Sequence, residues 1–337
     1  MKVLLTAIGC PGFKTLYDNI IKFNKEVVFH GCDIKDVTNK QYVKNFFIIS
    51  HGNSEKYIHE LIKYCIENSI EYLFPLSDSE IISINKNKYF FDQKNIKIFG
   101  NTNQKICDIF EKEKLLNYVH KINPSVIPEY KIIKNEIDFK NGYDFFKKKN
   151  KVMCIKPSVG HGSRGFRIIK DTSYKDYISK KLLPYMSYDQ YLSMISKIKI
   201  DTMIAMEYLP GKEYSVDCIK YRNDFYCVIR SRDEIINGIA SKGTICELPE
   251  LLDISKEIYE YFEFNSNVNI QFKESEDGKF KILEINPRLS GSISFSIKAG
   301  IDLIQIGLAK FFKIEKKFNI TPEYGMKIKK EWKVSKI

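Results

Sequence analysis

The most specific motif in the sequence is residues 281–288, which read Lys-Ile-Leu-Glu-Ile-Asn-Pro-Arg. Its apolar core flanked by polar residues predicts a β-strand, which Pro287 ends because proline cannot continue the ladder. Glu284 and Asn286 are two residues apart and therefore share one face of that strand. Together with Asn-Ile-Gln-Phe at 269–272, the segment predicts a β-hairpin with polar side chains on one face.

The polar face of this hairpin predicts a site for a hard cation. A carboxylate from Glu284, an amide oxygen from Asn286 and a third oxygen from the neighbouring strand form the kind of donor set that Mg²⁺ shares with phosphates. Arg288 follows the strand, where its planar guanidinium suits a second phosphate or a carboxylate. The alternative is a surface hairpin with scattered polar residues.

A second motif lies upstream, at residues 203–217, which read Met-Ile-Ala-Met-Glu-Tyr-Leu-Pro-Gly-Lys-Glu-Tyr-Ser-Val-Asp. An apolar strand that ends in Glu-Tyr-Leu-Pro-Gly offers backbone donors and acceptors beside an apolar pocket, which is what an adenine ring requires. Glu213, just beyond the turn, can accept hydrogen bonds from ribose hydroxyls. An ordinary loop with two surface carboxylates is the alternative.

A third motif, residues 155–166, reads Ile-Lys-Pro-Ser-Val-Gly-His-Gly-Ser-Arg-Gly-Phe. Lys156 ends a predicted strand, and the glycines that follow let backbone N–H groups approach an anion without obstruction. The next element is a strand rather than a helix, which argues against a Walker loop. The motif therefore predicts a phosphate-binding loop, with a flexible hairpin as the alternative.

The first hundred residues predict a small α/β unit. Apolar strands at 2–8, 26–33, 45–50 and 71–76 alternate with segments of helical spacing, which indicates a parallel sheet. The turn after the first strand lacks the three-glycine dinucleotide fingerprint, which argues against a nicotinamide oxidoreductase. Asp78 follows the fourth strand, where it suits either a ligand or, preferably, a helix cap.

The rest of the chain predicts an α+β body of mainly antiparallel strands. We expect four parts, with boundaries at 1–102, 103–200, 201–315 and a basic extension at 316–337. Further strands are predicted at 129–133, 151–156, 166–169, 202–207, 213–221, 225–231, 268–273 and 279–285, and helices near 103–121, 173–183, 250–263 and 292–312.

Composition, charge and cysteine content limit the classes of protein to which the chain is expected to belong. The 337 residues are 44% hydrophobic and 28% charged, which is typical of a folded globular chain. The net charge of +12 comes from lysines spread along the sequence, which argues against a nucleic-acid partner. The eight cysteines form no Cys-x-x-Cys pair, so we expect buried free thiols in a reducing compartment. Without a membrane span or signal peptide, the expected location is cytoplasmic, with no membrane partner.

In this order the three motifs resemble the ATP-grasp superfamily, in particular carbamoyl-phosphate synthetase large-subunit-like carboxylate–amine ligases. The resemblance implies an ATP-grasp fold preceded by a small parallel-sheet α/β domain, with ATP and Mg²⁺ as cofactors and Mn²⁺ as an alternative ion. Many relatives carry an acid where Gln271 stands, which leaves the number of metal ions open. The resemblance implies that the ATP phosphates are contacted by Lys114, Lys156 and the loop residues Gly162 and Ser163. It also implies that the adenine hinge is formed by Glu207, Tyr208 and Leu209 and that Glu213 binds the ribose. The magnesium ligands that it implies are Gln271, Glu284 and Asn286.

The activity that the resemblance implies is the phosphorylation of a small-molecule carboxylate, followed by attack of an amine or ammonia on the acyl phosphate. Arg288 is expected to stabilise the transition state of acyl-phosphate formation. Arg230 and Arg232 are expected to bind the acceptor carboxylate, with an external salt-bridge face as the alternative. An ATP-grasp kinase and a non-catalytic ATP-binding module remain alternative functions, and a homodimer is an open alternative to a monomer.

Overall fold

The computed structural model describes residues 1–160, 165–171, 184–318 and 320–331. The chain divides into two compact units, neither of which is continuous in sequence. The larger unit comprises Met1–Cys107, Glu213–Gln271 and Ile285–Ile337. The smaller unit comprises Asp108–Lys212 and Phe272–Glu284. The four parts expected from the sequence remain a prediction.

The larger unit begins with a five-stranded sheet in the order β3-β2-β1-β4-β5, in which every pair is parallel. The predicted α/β unit is therefore confirmed. Its strands are β1 (Lys2–Leu5), β2 (Val28–Asp33), β3 (Asn45–Ile48), β4 (Tyr72–Phe74) and β5 (Lys97–Ile98), and its helices are α1 (Phe13–Phe23), α2 (Glu55–Glu67), α3 (Asp78–Lys86) and α4 (Lys88–Gln93), followed by the short α5 (Lys105–Asp108).

Both faces of this parallel sheet are buried, as its nearly continuous apolar strands require. Val3 and Leu5 point into one hydrophobic cluster, whereas Leu4 and Cys32 point into another. This alternation follows from the two-residue period of a strand. The carboxyl ends of β1 and β4 lie side by side, so that the turn at residues 6–12 and the start of α3 occupy the same edge.

The smaller unit contains a second five-stranded sheet, in the order β6-β10-β7-β8-β9. Its pairs are antiparallel except for β8 and β9. A cluster that includes Phe139, Phe146 and Tyr191 packs its helices onto the sheet. Its elements are α6 (Lys112–Ile122), β6 (Tyr130–Ile133), α7 (Glu136–Lys148), β7 (Met153–Pro157), β8 (Arg167–Ile169), β9 (Tyr185–Met186), α8 (Tyr188–Ile195) and β10 (Met203–Glu207).

The third sheet has seven strands, ordered β13-β14-β12-β11-β15-β16, with β17 paired to β14. Its strands β15 and β16 run across the division between the units. The elements are β11 (Glu213–Tyr221), β12 (Asp224–Ser231), β13 (Glu234–Ile236), β14 (Ile239–Cys246), α9 (Pro249–Tyr261), β15 (Val268–Glu274), β16 (Phe280–Asn286), α10 (Ser294–Lys298), α11 (Leu303–Phe311) and β17 (Lys327–Lys329).

The predicted fold class is confirmed, and most predicted strands are present. The helix predicted near 103–121 is instead two helices, α5 and α6, and the one near 292–312 is divided into α10 and α11. Helix α7 was not predicted, because it is stabilised by only two fully buried aromatic residues, seven positions apart. Strand β14 was missed because Gly243 interrupts its pattern; a Cβ there would lie 2.3 Å from the carbonyl oxygen of Ser231.

Two further predictions concern the helix near 173–183 and the basic extension at 316–337. The predicted helix lies outside the described residues. Part of the basic extension forms β17. All eight cysteines are free thiols, as predicted, and five of them are buried. None of the helices formed by the described residues has the length and apolar character needed to cross a membrane.

Candidate active site

A half-buried lysine lies beside the glycine-rich loop of the smaller unit. Lys112, the first residue of α6, donates from Nζ to the carbonyl oxygen of Gly160 at 3.0 Å and lies 3.4 Å from that of Ser158. Its backbone N–H also donates to the Ser158 carbonyl at 2.9 Å. The start of α6 is thus fastened to the segment that follows Lys156 at the end of β7.

The charge on Lys112 is sensitive to its surroundings. Burial lowers the pKa of Lys112 to about 8, and the nearby positive charge of Lys156 lowers it further than Glu284 raises it. An anion placed beside the two amines would reverse this effect, because opposite charge favours the protonated form. Lys112 and Lys156 therefore form a pair of cations suited to phosphate.

Lys114, which the resemblance assigns to the phosphates, lies on another side of α6. Its Nζ is 3.0 Å from Asp108 Oδ1 and 2.9 Å from Glu111 Oε1, and the side chain is half exposed. These hydrogen bonds raise its pKa. Its phosphate role remains a prediction, and among the described residues of the glycine-rich loop Ser158 and Gly160 are contacted by Lys112. The loop residues Gly162 and Ser163 lie outside the described residues.

The side chain of Glu207, the last residue of β10, contacts two residues outside that strand. Its Oε1 accepts a hydrogen bond from the backbone N–H of Glu129 at 3.0 Å, and its Oε2 lies 2.6 Å from Lys151 Nζ. The pKa of Lys151 is raised, because the hydrogen bonds from its amine to Glu207 and Glu129 outweigh the opposing effect of burial. Glu207 thus anchors the strand end, and only its backbone suits the predicted adenine contact.

The residues after Glu207 form a turn with a close backbone approach. Tyr208 donates its N–H to the Val152 carbonyl at 2.7 Å, and Leu209 is buried. Gly211 donates its N–H to the carbonyl of Glu274 at 3.1 Å, and a Cβ at this position would lie 2.5 Å from Glu274 Cβ. The glycine in Leu-Pro-Gly is therefore required by packing, and the adenine role of Tyr208 and Leu209 remains a prediction.

Two predicted substrate residues pair with each other in the larger unit. Glu213 Oε1 lies 3.1 Å from Arg232 Nε, and the Glu213 carbonyl accepts the Arg232 N–H at 2.8 Å. Arg232 Nη2 also donates to the carbonyl of Gly238 at 2.7 Å. The predicted ribose and acceptor roles of these residues therefore share one ion pair, and both remain predictions.

Arg230, predicted with Arg232 to bind the acceptor, is fully buried. Its guanidinium forms an ion pair with Asp217 and donates from Nη2 to the hydroxyls of Ser215, Ser290 and Ser292 at 3.1, 3.2 and 2.8 Å. A guanidinium so engaged reaches an acceptor only if this network opens. The structure therefore favours an internal role for Arg230.

The predicted metal ligands are one carboxylate and two carboxamides. Glu284 and Asn286 occupy alternate positions of β16, as predicted, and Gln271 belongs to β15. Gln271 donates from Nε2 to Asn269 Oδ1 at 3.3 Å, so its oxygen is the end that suits a cation. One oxygen atom from each of the three side chains would suit Mg²⁺, because this ion prefers oxygen ligands. The described residues contain no group of three His, Cys, Asp or Glu that could hold a metal, as expected for a set with a single acid.

Arg288 forms a two-point ion pair with Asp78 within the larger unit. Arg288 Nε lies 2.5 Å from Asp78 Oδ1, and Nη2 lies 3.0 Å from Oδ2. Asp78 is the first residue of α3, whose N-terminus has a capping box made by Ser77 and Glu80. The cap of α3 is thus Ser77 and not Asp78 as predicted, and Asp78 instead holds the guanidinium of Arg288, for which a catalytic role is predicted.

Sequence reasoning missed Lys112, Asp217 and Asn269. A signal for Lys112 was present, because it lies three and four residues before Leu115 and Leu116, which are buried on the inner face of α6. Lys114 does not share that spacing. No local pattern marks Asp217 and Asn269, because Asp217 pairs with Arg230 on β12 and Asn269 donates to Ser215 and Asp217 on β11.

Comparison with known proteins finds one family match and several distant relatives. Residues 199–334 match the family described as "ATP-grasp in the biosynthetic pathway with Ter operon". The chain is 28% identical over 219 residues to the carbamoyl phosphate synthase large chain of Clostridium botulinum and 23% identical over 217 residues to that of Methanobrevibacter smithii. These alignments cover 62% and 60% of this chain but only 19% of each relative, so the chain spans about a fifth of their length.

Solved structures share the fold over almost the whole chain. The N5-carboxyaminoimidazole synthetase of Staphylococcus aureus, solved with ADP, has a TM-score of 0.70 at 13% identity and covers 96% of this chain and 80% of its own. The Campylobacter jejuni biotin carboxylase, solved with a β,γ-ATP ligand, has a TM-score of 0.68 at 16% identity, with 95% and 73% covered. These comparisons show that residues 199–334 match an ATP-grasp family and that the chain shares its fold with these solved structures.

Proposed function

We propose that this protein is an ATP- and Mg²⁺-dependent ligase that activates a small carboxylate as an acyl phosphate and joins it to an amine or ammonia. The products are an amide-type bond, ADP and phosphate. The observation that carries the proposal is the position of Lys112, a half-buried amine held against the loop that follows Lys156. Holding the positive charge of Lys112 half-buried and close to that of Lys156 costs free energy. A bound polyphosphate would offset this cost, because its negative charge stabilises both amines in their protonated form.

The first step is phosphoryl transfer. A carboxylate oxygen attacks the γ-phosphorus of ATP, the bond to the β-phosphate oxygen breaks, and ADP leaves. Such a transfer depends mainly on positioning and on charge neutralisation. Lys112 and Lys156 would neutralise phosphate charge, and Arg288 is the residue that we propose for stabilising the charge of the transferred phosphoryl group. Magnesium, when bound by Gln271, Glu284 and Asn286 with the phosphates, would supply further charge stabilisation.

The second step forms the new bond. The lone pair of the amine attacks the acyl carbon, inorganic phosphate leaves with the former carboxylate oxygen, and the nitrogen loses a proton. Arg232 is the arginine that we propose for the acceptor carboxylate, since Arg230 is enclosed in its own network. The names of the similar proteins support this class of chemistry, because they include carbamoyl phosphate synthase and biotin carboxylase.

The test is ADP release by the full chain with panels of carboxylates and amines. We expect ADP to form only when a carboxylate and an amine are both present, with the product identified by mass spectrometry. With the amine omitted, hydroxylamine should trap the acyl phosphate as a hydroxamate.

Two other outcomes would contradict the ligase. ADP release with a single acceptor and a stable phosphorylated product would indicate a kinase. Nucleotide binding without turnover of any pair would indicate a non-catalytic module. In either case the nucleotide assignment would survive and the acyl-phosphate step would be withdrawn.

A further inference from the structure

A chain of buried polar side chains crosses the seven-stranded sheet of the larger unit. Ser215 and Asp217 come from β11, Arg230 from β12 and Asn269 from β15, and each is at most 2% exposed. Ser215 and Arg230 are direct cross-strand neighbours, and Asp217 lies two residues along on the same face. We call these four residues the relay.

Asp217 determines which way Asn269 points. The Nδ2 atom of Asn269 lies 2.8 Å from Asp217 Oδ1 and 2.7 Å from Ser215 Oγ. A carboxylate can only accept hydrogen bonds, so the NH₂ end of the carboxamide must face it. The oxygen end of Asn269 is thereby directed away from Asp217.

Asn269 in turn determines which way Gln271 points. The two residues occupy alternate positions of β15 and share one face. Gln271 Nε2 lies 3.3 Å from Asn269 Oδ1, and because an amide oxygen only accepts, Gln271 must present its nitrogen. Its Oε1 is left at the opposite end of the carboxamide, as a metal ligand requires.

Arg230 forms an ion pair with Asp217, the residue at which this order begins. Its Nη1 pairs with Asp217 Oδ2, which also accepts a hydrogen bond from Ser296 Oγ at 3.1 Å. Replacing such a buried pair by apolar residues is often neutral or stabilising, so stability alone does not explain it. An apolar pair, however, could not impose a direction on two successive carboxamides.

We propose that Asp217, held by Arg230, is a positioning residue that sets the amide orientation of Asn269 and Gln271 so that Gln271 Oε1 faces the bound cation. The inference rests on the proposed function in one respect, which is that Gln271 is a magnesium ligand. It replaces the acceptor-binding role expected for Arg230 with an internal one.

The test measures Mn²⁺ binding to the ADP complex of the full chain by electron paramagnetic resonance, without turnover. Asp217→Asn should weaken Mn²⁺ binding about tenfold, as is typical when an outer hydrogen-bond partner of a ligand is removed. Asparagine can offer either end to Asn269, so the direction of the relay is lost. Asp224→Asn, an exposed acid on the neighbouring strand β12, is the matched control and should leave binding unchanged.

The decisive comparison repeats Asp217→Asn in a Gln271→Glu background. A carboxylate has two equivalent oxygens and needs no orientation, so there Asp217→Asn should not weaken Mn²⁺ binding. A merely structural role would weaken it equally in both backgrounds, and that result would overturn the inference. Asn269→Leu, which breaks the relay but keeps the Arg230 ion pair, should weaken binding as much as Asp217→Asn and serves if the latter does not fold.

Two results separate this inference from the proposed function. If Gln271→Ala binds Mn²⁺ as tightly as the native chain does, the relay has no ligand to orient and the inference fails, while the ligase proposal stands. If the native chain binds ADP but no Mn²⁺, the metal-dependent function fails together with the relay.

Discussion

Arg288 and Asp78 are joined by two parallel contacts, Nε to Oδ1 at 2.5 Å and Nη2 to Oδ2 at 3.0 Å, although 210 positions separate them in the sequence. Asp78 is nearly buried and Arg288 is 24% exposed. The pair fixes the plane of the guanidinium at the start of α3. A lysine at position 288 could keep the charge but could not make both contacts.

Arg288→Lys should therefore lower turnover by more than about tenfold, which corresponds to about 1.4 kcal/mol of transition-state stabilisation. The measurement is ADP release at saturating ATP. Arg222→Lys, at a half-exposed arginine that pairs with Glu315, is the matched control and should keep native turnover. Equal turnover of the two variants would remove Arg288 from the catalytic assignment.

Glu284→Gln should lower Mg²⁺-dependent turnover about a hundredfold, because the only charged oxygen of the predicted metal set is lost and metal charge stabilisation contributes several kcal/mol. Glu276→Gln, an exposed acid in the turn of the same hairpin, should leave turnover unchanged. Both variants should melt as the native chain does. If more Mg²⁺ does not partly restore the Glu284 variant, the residue does not act through the metal.

Lys112 should take up protons when nucleotide binds. Its pKa of about 8 in the free protein should rise beside a polyphosphate, so at pH 8 binding draws protons from the buffer and the affinity falls at higher pH. Calorimetry of ADP binding in two buffers of different ionisation enthalpy measures this uptake. Lys112→Met should abolish most of it, whereas Lys114→Met, two residues away, should not. The reverse result would restore Lys114 as the phosphate ligand.

The same lysine should make stability depend on pH in the absence of nucleotide. Its pKa falls from 10.5 to about 8 on folding, so between these values the unfolded chain binds more protons and the free energy of unfolding rises with pH. At pH 7 the buried charge lowers stability, and Lys112→Met should be more stable than the native chain. Urea denaturation should show this difference shrinking from pH 8 towards pH 10.5. A constant difference would mean that the amine is not desolvated.

The sequence by itself determined the fold class and the order of the motifs. Apolar runs at 2–8, 26–33 and 71–76 specify a parallel sheet because strands buried on both faces need nearly continuous apolar residues. Glu284 and Asn286 share a face because the side-chain period of a strand is two. These are local properties of the chain, so neighbouring residues are sufficient to predict them.

The surroundings of several similar side chains, by contrast, are known only from the tertiary structure. Lys112 and Lys114 differ by about 200° around α6, and only the packing of Leu115 and Leu116 decides which amine meets Gly160. Arg230 was expected at the acceptor but lies in the interior, because the fold brings to it Asp217 on β11 and Ser292 in the turn before α10. The charge pairing of Arg230 and the amide direction of Asn269 depend on residues distant in sequence, so no local pattern specifies them.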